Sequence, residues 1–200
     1  MPEPRFVSLT EEQAPEAARP ILKASQRQFG FLPSPVARAA ASPALLKHML
    51  ASFAAFDQSS LSAVEREVVA MTVAFHMGCH YCMAMHSALL TREQPQLVAA
   101  LRDGAPLPDA RLQALRELVQ SLVEQRGRVP EPTWRAFIAA GFNQHQALDV
   151  VLGTSVYLLS TLTNVLTEAP LDAAFEAFRW EPRPATDSTL SAASTAAQRP

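Results

Sequence analysis

The chain has 200 residues, 48% of them hydrophobic and 18% charged, with a formal net charge of −2. That is length and apolar content enough for one globular domain with its own core, and it excludes a partner held by net positive charge, such as nucleic acid or an anionic membrane. No basic-then-apolar stretch opens the sequence, and two cysteines are too few for a secreted disulfide scaffold, so a cytoplasmic protein is expected.

The predicted organisation is an N-terminal segment over residues 1–19, one helical domain over 20–180 and a tail over 181–200. The tail, EPRPATDSTLSAASTAAQRP, carries too little apolar area to offset its ordering entropy and is expected to be disordered. Ser42 before Pro43 predicts a helix start, after which Leu45, Leu46, Met49, Phe53 and Phe56 recur on one face. Ser62 and Glu65 form a capping-box pattern ahead of Val68, Val69, Met71 and Val73. Thr91 and Gln94 repeat that pattern before Leu97, Val98 and Leu101, and Gly104 suits the C-cap that follows.

A long helix is predicted over 109–126, stopped by Gly127, with Leu112, Leu115, Leu118, Val119 and Leu122 as its apolar stripe. A shorter helix over 132–140 ends at Gly141, and Asn143 caps a second long helix. Its uncharged stretch from Val150 to Thr167 approaches membrane-spanning length, but Gly153, Thr154, Ser155, Ser160 and Asn164 interrupt it. A spanning helix needs about 20 predominantly apolar residues, so this one is read as a buried helix at a subunit interface, with no membrane involved. Residues 171–178 close the fold. There is no strand alternation and no Asn-Gly hairpin signal, and the prediction is all-α.

The chemistry concentrates between Glu65 and His86. A helix from Ser62 is expected to end at Gly78, and another to begin at the cysteines and run to about Leu90. Free N–H groups at a helix start favour thiolate over thiol. Cys79 and Cys82 are spaced i, i+3, and Cys82 and His86 are spaced i, i+4, so two sulfurs and an imidazole fall on one helical face. A histidine there can move a proton to or from a thiol. Glu67 lies twelve residues before Cys79; antiparallel packing of the two helices would bring its carboxylate to His86 and orient the ring.

Glu67, eleven residues, Cys79-x-x-Cys82, three residues, His86 is a pattern that resembles the alkylhydroperoxidase-D and carboxymuconolactone-decarboxylase-like superfamily. Ser-Pro-x-Leu-Leu at 42–46, Leu61-Ser62, Arg66-Glu67-Val68 and the segment 142–164 followed by Pro-Leu-Asp at 170–172 extend the resemblance over about residues 20–178. Tyr81 stands where characterised alkylhydroperoxidase-D proteins carry a histidine before the second cysteine, which resembles the broader peroxidase-related branch.

The resemblance implies an alkylhydroperoxidase-D-like helical bundle and a thiol-dependent peroxidase. Its substrate would be a small hydroperoxide, its reductant an external dithiol, its assembly a homo-oligomer such as a trimer or hexamer, and it would need no cofactor. Cys79, Cys82, His86 and Glu67 would be its catalytic residues. The resemblance favours Cys82 as the attacking thiol and Cys79 as its resolving partner, whereas helix position favours charge on Cys79.

Other readings fit the same residues. Two helical cysteines can act as small buried hydrophobes, a non-peroxidatic thiol sensor or binding protein can cycle once between dithiol and disulfide, and two cysteines with a histidine can hold an open zinc site. Met71, Met77, Met83 and Met85 are read as adaptable packing, Trp134 and Trp180 as core contacts, and His48 and His145 as structural or surface residues.

Overall fold

Nine α-helices and two short 3-10 turns make up residues 5–182, which are the residues described by this computed structural model. The helices are α1 (Arg19–Phe29), α2 (Ser34–Ala39), α3 (Pro43–Asp57), α4 (Ala63–His76), α5 (His80–Leu90), α6 (Pro95–Asp103), α7 (Ala110–Glu124), α8 (Glu131–Ala139) and α9 (Gln144–Leu166). No strand occurs among the described residues, as the sequence predicts. The expected tail lies outside the described residues apart from Glu181 and Pro182, as do the first four residues.

Helix α4 is the hub. Val68, Val69, Ala70, Met71, Val73 and Ala74 are all sealed from solvent, so the helix is buried on every side and not on one stripe. It packs on α7, α9, α5 and α6. Its start is fixed by the predicted capping box: Ser62 accepts the Glu65 N–H, and Glu65 accepts the Ser62 N–H. Glu65 also pairs with Arg111 of α7 at 3.0 Å, and at the other end His76 lies 3.3 Å from Glu124 of α7. Ends matching ends means that α4 and α7 run parallel.

Local signals fix most of the remaining boundaries. Asn143 and Gln146 form a capping box that starts α9, and Gly104 ends α6 in the left-handed region at φ 65°. Asp109 caps α7 through the Arg111 and Leu112 N–H groups. That helix stops at Glu124, before the predicted 126, because Arg126 and Gly127 turn left-handed at φ 55° and 82°. The capping box expected at Thr91 and Gln94 is not formed. Thr91 closes α5 by donating to the Ser87 carbonyl at 2.6 Å, and Pro95 takes the first position of α6 behind a Gln94 whose side chain caps nothing. Helices α1 and α2, on which the sequence reading is silent, hold a second apolar cluster of Ala14, Ala18, Leu22, Val36, Leu46 and Met49.

Candidate active site

Between α4 and α5 the chain reverses in three residues. Gly78 adopts φ 62°, which an L side chain rarely does, and the Cys79 N–H returns to the Ala74 carbonyl at 2.9 Å. Cys79 is then extended at φ −83°, ψ 96°, and its sulfur accepts the Cys82 N–H as the N-cap of α5. This corrects one expectation: Cys79 is not the first residue on a helical face but the cap beneath it. The helix start thereby points a backbone donor straight at a sulfur.

Cys79 and Cys82 are free thiols, 1% and 2% exposed. Helix α9 closes over them. Asn164 Nδ2 donates to Cys82 Sγ at 3.3 Å and to Cys79 Sγ at 3.8 Å, and Ser160 Oγ lies 3.8 Å from Cys82 Sγ. The Cys79 thiol is lowered to about 7: a hydrogen bond from the Cys82 thiol does most, outweighing burial, with help from the Cys82 N–H, Asn164 and the Tyr81 N–H. Cys82 is pushed up by serving as that donor, then by its own burial and the neighbouring charge. Of the two, Cys79 is therefore the sulfur that ionises first, while Cys82 keeps its proton.

Helix α5 runs back along α4, so His86 meets Glu67. Nδ1 of the imidazole lies 2.7 Å from Glu67 Oε2. A carboxylate at Nδ1 sets the tautomer and leaves Nε2 for chemistry. Nε2 is buried and has no partner among the described residues. The ring stands edge-on to Tyr157 of α9, centroids 5.2 Å apart. Burial, then the Glu67 charge, pushes the Tyr157 phenol well up. Neither sulfur bonds to the imidazole among the described residues, so a proton passing between them needs a bridging water or substrate.

Tyr81 faces another way. Its hydroxyl donates to Asp172 Oδ2 at 2.7 Å, and Asp172 is also held by the Ser34 N–H at 3.0 Å and by the Ser34 hydroxyl. Burial, and then the Asp172 bond, keeps the phenol protonated. Segment 170–182 is strapped over α5 in this way, and Arg102 donates to the carbonyls of Phe178 and Arg179 to hold its far end.

The structure therefore brings Cys79, Cys82 and His86 into one buried locus, with the partly exposed Glu67 at its edge. It adds Asn164, Ser160 and Tyr157, which the sequence reading passed over or treated only as interruptions of an apolar helix. A signal was present: 157, 160 and 164 lie on one helical face of an otherwise uncharged stretch. Among the described residues no group of three or more His, Cys, Asp or Glu side chains is arranged to hold a metal ion. His80, half-buried at the first position of α5, and His76, paired with Glu124, stand outside this locus. Met71 and Met83 are core residues, with Met77 and Met85 packed against the core.

This is an all-helical architecture of the alkylhydroperoxidase-D kind with a buried dithiol at one helix start. The family model described as the carboxymuconolactone decarboxylase family matches residues 42–120, the stretch that carries α3 to α7 and the dithiol. No curated protein matches the sequence. An uncharacterised peroxidase-related protein from Ralstonia eutropha JMP134, with an alkylhydroperoxidase AhpD core, superposes with a TM-score of 0.76 at 21% identity, over 88% of this chain and 95% of that one. An uncharacterised peroxidase-related protein from Silicibacter sp. TM1040 gives 0.72 at 22% identity, over 87% and 95%. The debrominase Bmp8 gives 0.71 at 16% identity, over 88% and 96%, and its fold has also been solved in a cysteine-to-alanine variant with 2,3,4-tribromopyrrole. The family resemblance and the fold read from the sequence are thus both borne out.

Proposed function

We propose that the chain is a thiol-dependent peroxidase that reduces a small hydroperoxide with the Cys79/Cys82 pair. The observation that carries this reading is the Cys79 sulfur capping α5, where it accepts the Cys82 N–H beside a second buried thiol. A thiolate attacks the terminal oxygen of the hydroperoxide; the O–O bond breaks, and the alkoxide leaves as the alcohol after taking a proton. His86, oriented by Glu67, supplies that proton through a bridging water. The sulfenic acid then condenses with the second thiol, releasing water and forming the disulfide. An external dithiol restores the pair by two exchange steps and is itself oxidised to a disulfide. The readier ionisation of Cys79 favours it as the first attacker, in contrast to the order that family resemblance suggests.

The test is steady-state consumption of tert-butyl hydroperoxide with a dithiol donor by the wild type and by Cys79→Ser and Cys82→Ser. Both variants should lose turnover, and Cys79→Ser should also lose its first oxidation step. Unchanged turnover in both would remove the reading.

The burial of both thiols favours a second reading, a sensor that oxidises once and waits for a partner. A single stoichiometric burst with no steady state would select it. In either case the dithiol form belongs in a reducing compartment, and a cytoplasmic location follows from that chemistry.

The proposal includes self-association. Helix α9 is the one helix among the described residues long and apolar enough, by length and composition alone, to cross a membrane. Half of its apolar window is buried, as in the core helix of a folded bundle, and its outer face presents Leu148, Val151, Leu162, Val165 and Leu166 to solvent. A second copy of the chain is the occupant proposed for that face.

A further inference from the structure

Asn164 occupies a position that the fold alone does not favour. It is 2% exposed, on the buried face of a helix whose inner neighbours are Val156, Tyr157, Thr161 and Thr163. Its Oδ1 is buried without a partner among the described residues, an arrangement less stable than a leucine of similar size would give. The backbone that carries the side chain is nevertheless fixed, through the main-chain carbonyl of Asn164. The Asn164 carbonyl accepts the Ala169 N–H at 3.0 Å and the Thr167 hydroxyl at 3.5 Å, so the end of α9 is locked where the amide meets the thiols. Its Nδ2 lies between the two sulfurs, at 3.3 Å and 3.8 Å.

We infer that Asn164 is a catalytic residue of the dithiol site, with a different task for each end of its carboxamide. Nδ2 donates to the sulfur pair and holds the negative charge there. Oδ1 accepts the O–H of the incoming hydroperoxide. Both ends belong to one rigid planar group, so a hydroperoxide bound at Oδ1 has its hydroxyl oxygen, the atom to be attacked, beside the two sulfurs that Nδ2 spans. That accounts for a buried acceptor with no partner among the described residues: its partner arrives with the substrate. It also names the substrate feature that is recognised, a free O–OH group and not the organic residue. This inference rests on the peroxidase reading for the Oδ1 half, and on geometry alone for the Nδ2 half.

Asn164→Leu separates the two tasks. Thiolate formation is followed by its ultraviolet absorbance as pH rises, with no peroxide present, and kcat/KM for tert-butyl hydroperoxide is measured over the same range. The absorbance midpoint should move up by about one unit, an about tenfold loss of thiolate near neutral pH, while thermal stability holds or rises. Above about pH 9, where the thiolate is restored, kcat/KM should stay about tenfold below wild type, because the acceptor is still missing. Asn164→Asp keeps an acceptor and loses the donor, and should move the midpoint up at least as far. An unmoved midpoint in Asn164→Leu overturns the donor role, and full recovery of kcat/KM at high pH overturns the acceptor role. If the wild type itself shows no peroxide turnover, the peroxidase reading and the Oδ1 half fall together, while the midpoint shift still decides the Nδ2 half.

Discussion

Glu67 and His86 are nineteen positions apart in sequence and their side chains meet at 2.7 Å. The contact exists because Gly78 turns α5 back along α4, so that residues roughly equidistant from the turn face each other. It orients the imidazole and leaves Nε2 buried, with no partner among the described residues. His86→Ala should therefore lower peroxide turnover by about 10²-fold or more, the usual worth of a positioned acid-base group. Glu67→Gln keeps a hydrogen-bond partner for Nδ1, and with it most of the ring's orientation, and should cost less. Steady-state assays with unchanged thiol content would show this order. Equal, near-wild-type rates in both variants would mean that the pair only supports the fold.

The thiol pair imposes a pH dependence of its own. An ordinary cysteine ionises near about 8.5, whereas the bond from the Cys82 thiol draws Cys79 down to about 7. Alkylation by iodoacetamide should rise through a midpoint near about pH 7 and label Cys79 first, as peptide mapping would show. Stability should follow with a definite sign. The folded-state value of Cys79 lies below its unfolded value, so its contribution is complete above about 8.5 and is lost as pH falls through about 7. Cys82 is raised by its bond to Cys79 and by burial, so its contribution is present below about 8.5 and is lost as pH climbs through its raised value. The melting temperature should climb between about pH 6 and pH 8 and decline at higher pH. An alkylation midpoint near the ordinary thiol value would contradict the assignment of the charge.

How much of the fold and site is legible in the sequence follows from the range of the forces involved. The starts of α4, α7 and α9 are written in Ser62, Asp109 and Asn143 because capping joins atoms three residues apart. The spacing of Glu67, Cys79, Cys82 and His86 is readable for the same reason, once Gly78 is recognised as the turn. Thr91 and Gln94 mislead because the pattern that opens a helix also arises where one ends, and Pro95 decides which. Asn164 and Asp172 reach Cys79 and Tyr81 across 85 and 91 positions, and only the packing of α9 and the 170–182 segment against α5 brings them there. Local pattern holds no record of such contacts.

Tyr81 ties the 170–182 segment to α5. Its hydroxyl anchors Asp172, and with it the segment that runs past the Gly78 turn, where Pro182 Cβ would lie 3.4 Å from a Cβ added to the glycine. Tyr81→Phe leaves Asp172 with Ser34 alone. It should cost about 1–2 kcal/mol, a drop in melting temperature of a few degrees for a chain of this size. If the segment also covers the thiols, an aromatic disulfide reagent should modify Cys79 and Cys82 faster in the variant. A lower melting temperature with an unchanged labelling rate would assign the segment to stability and leave the route to the thiols elsewhere.

The outer face of α9 makes the last prediction. Leu162 and Leu166 are 54% and 64% exposed, on a helix with no charged side chain between Val150 and Thr167. Such a contiguous apolar strip is uncommon on a monomer and suits a self-complementary contact between copies. Leu162 is two residues from both Ser160 and Asn164, about 200° around the helix, so the strip and the thiol-facing side are back to back. Placing charge on the strip should therefore break assembly without touching the dithiol. Wild-type protein should scatter light as a trimer or hexamer, and Leu162→Glu with Leu166→Glu should scatter as a monomer, with the same helical circular dichroism and the same thiolate titration. A wild-type monomer at micromolar concentration would refute self-association through this face. An assembled variant would move the contact to another surface.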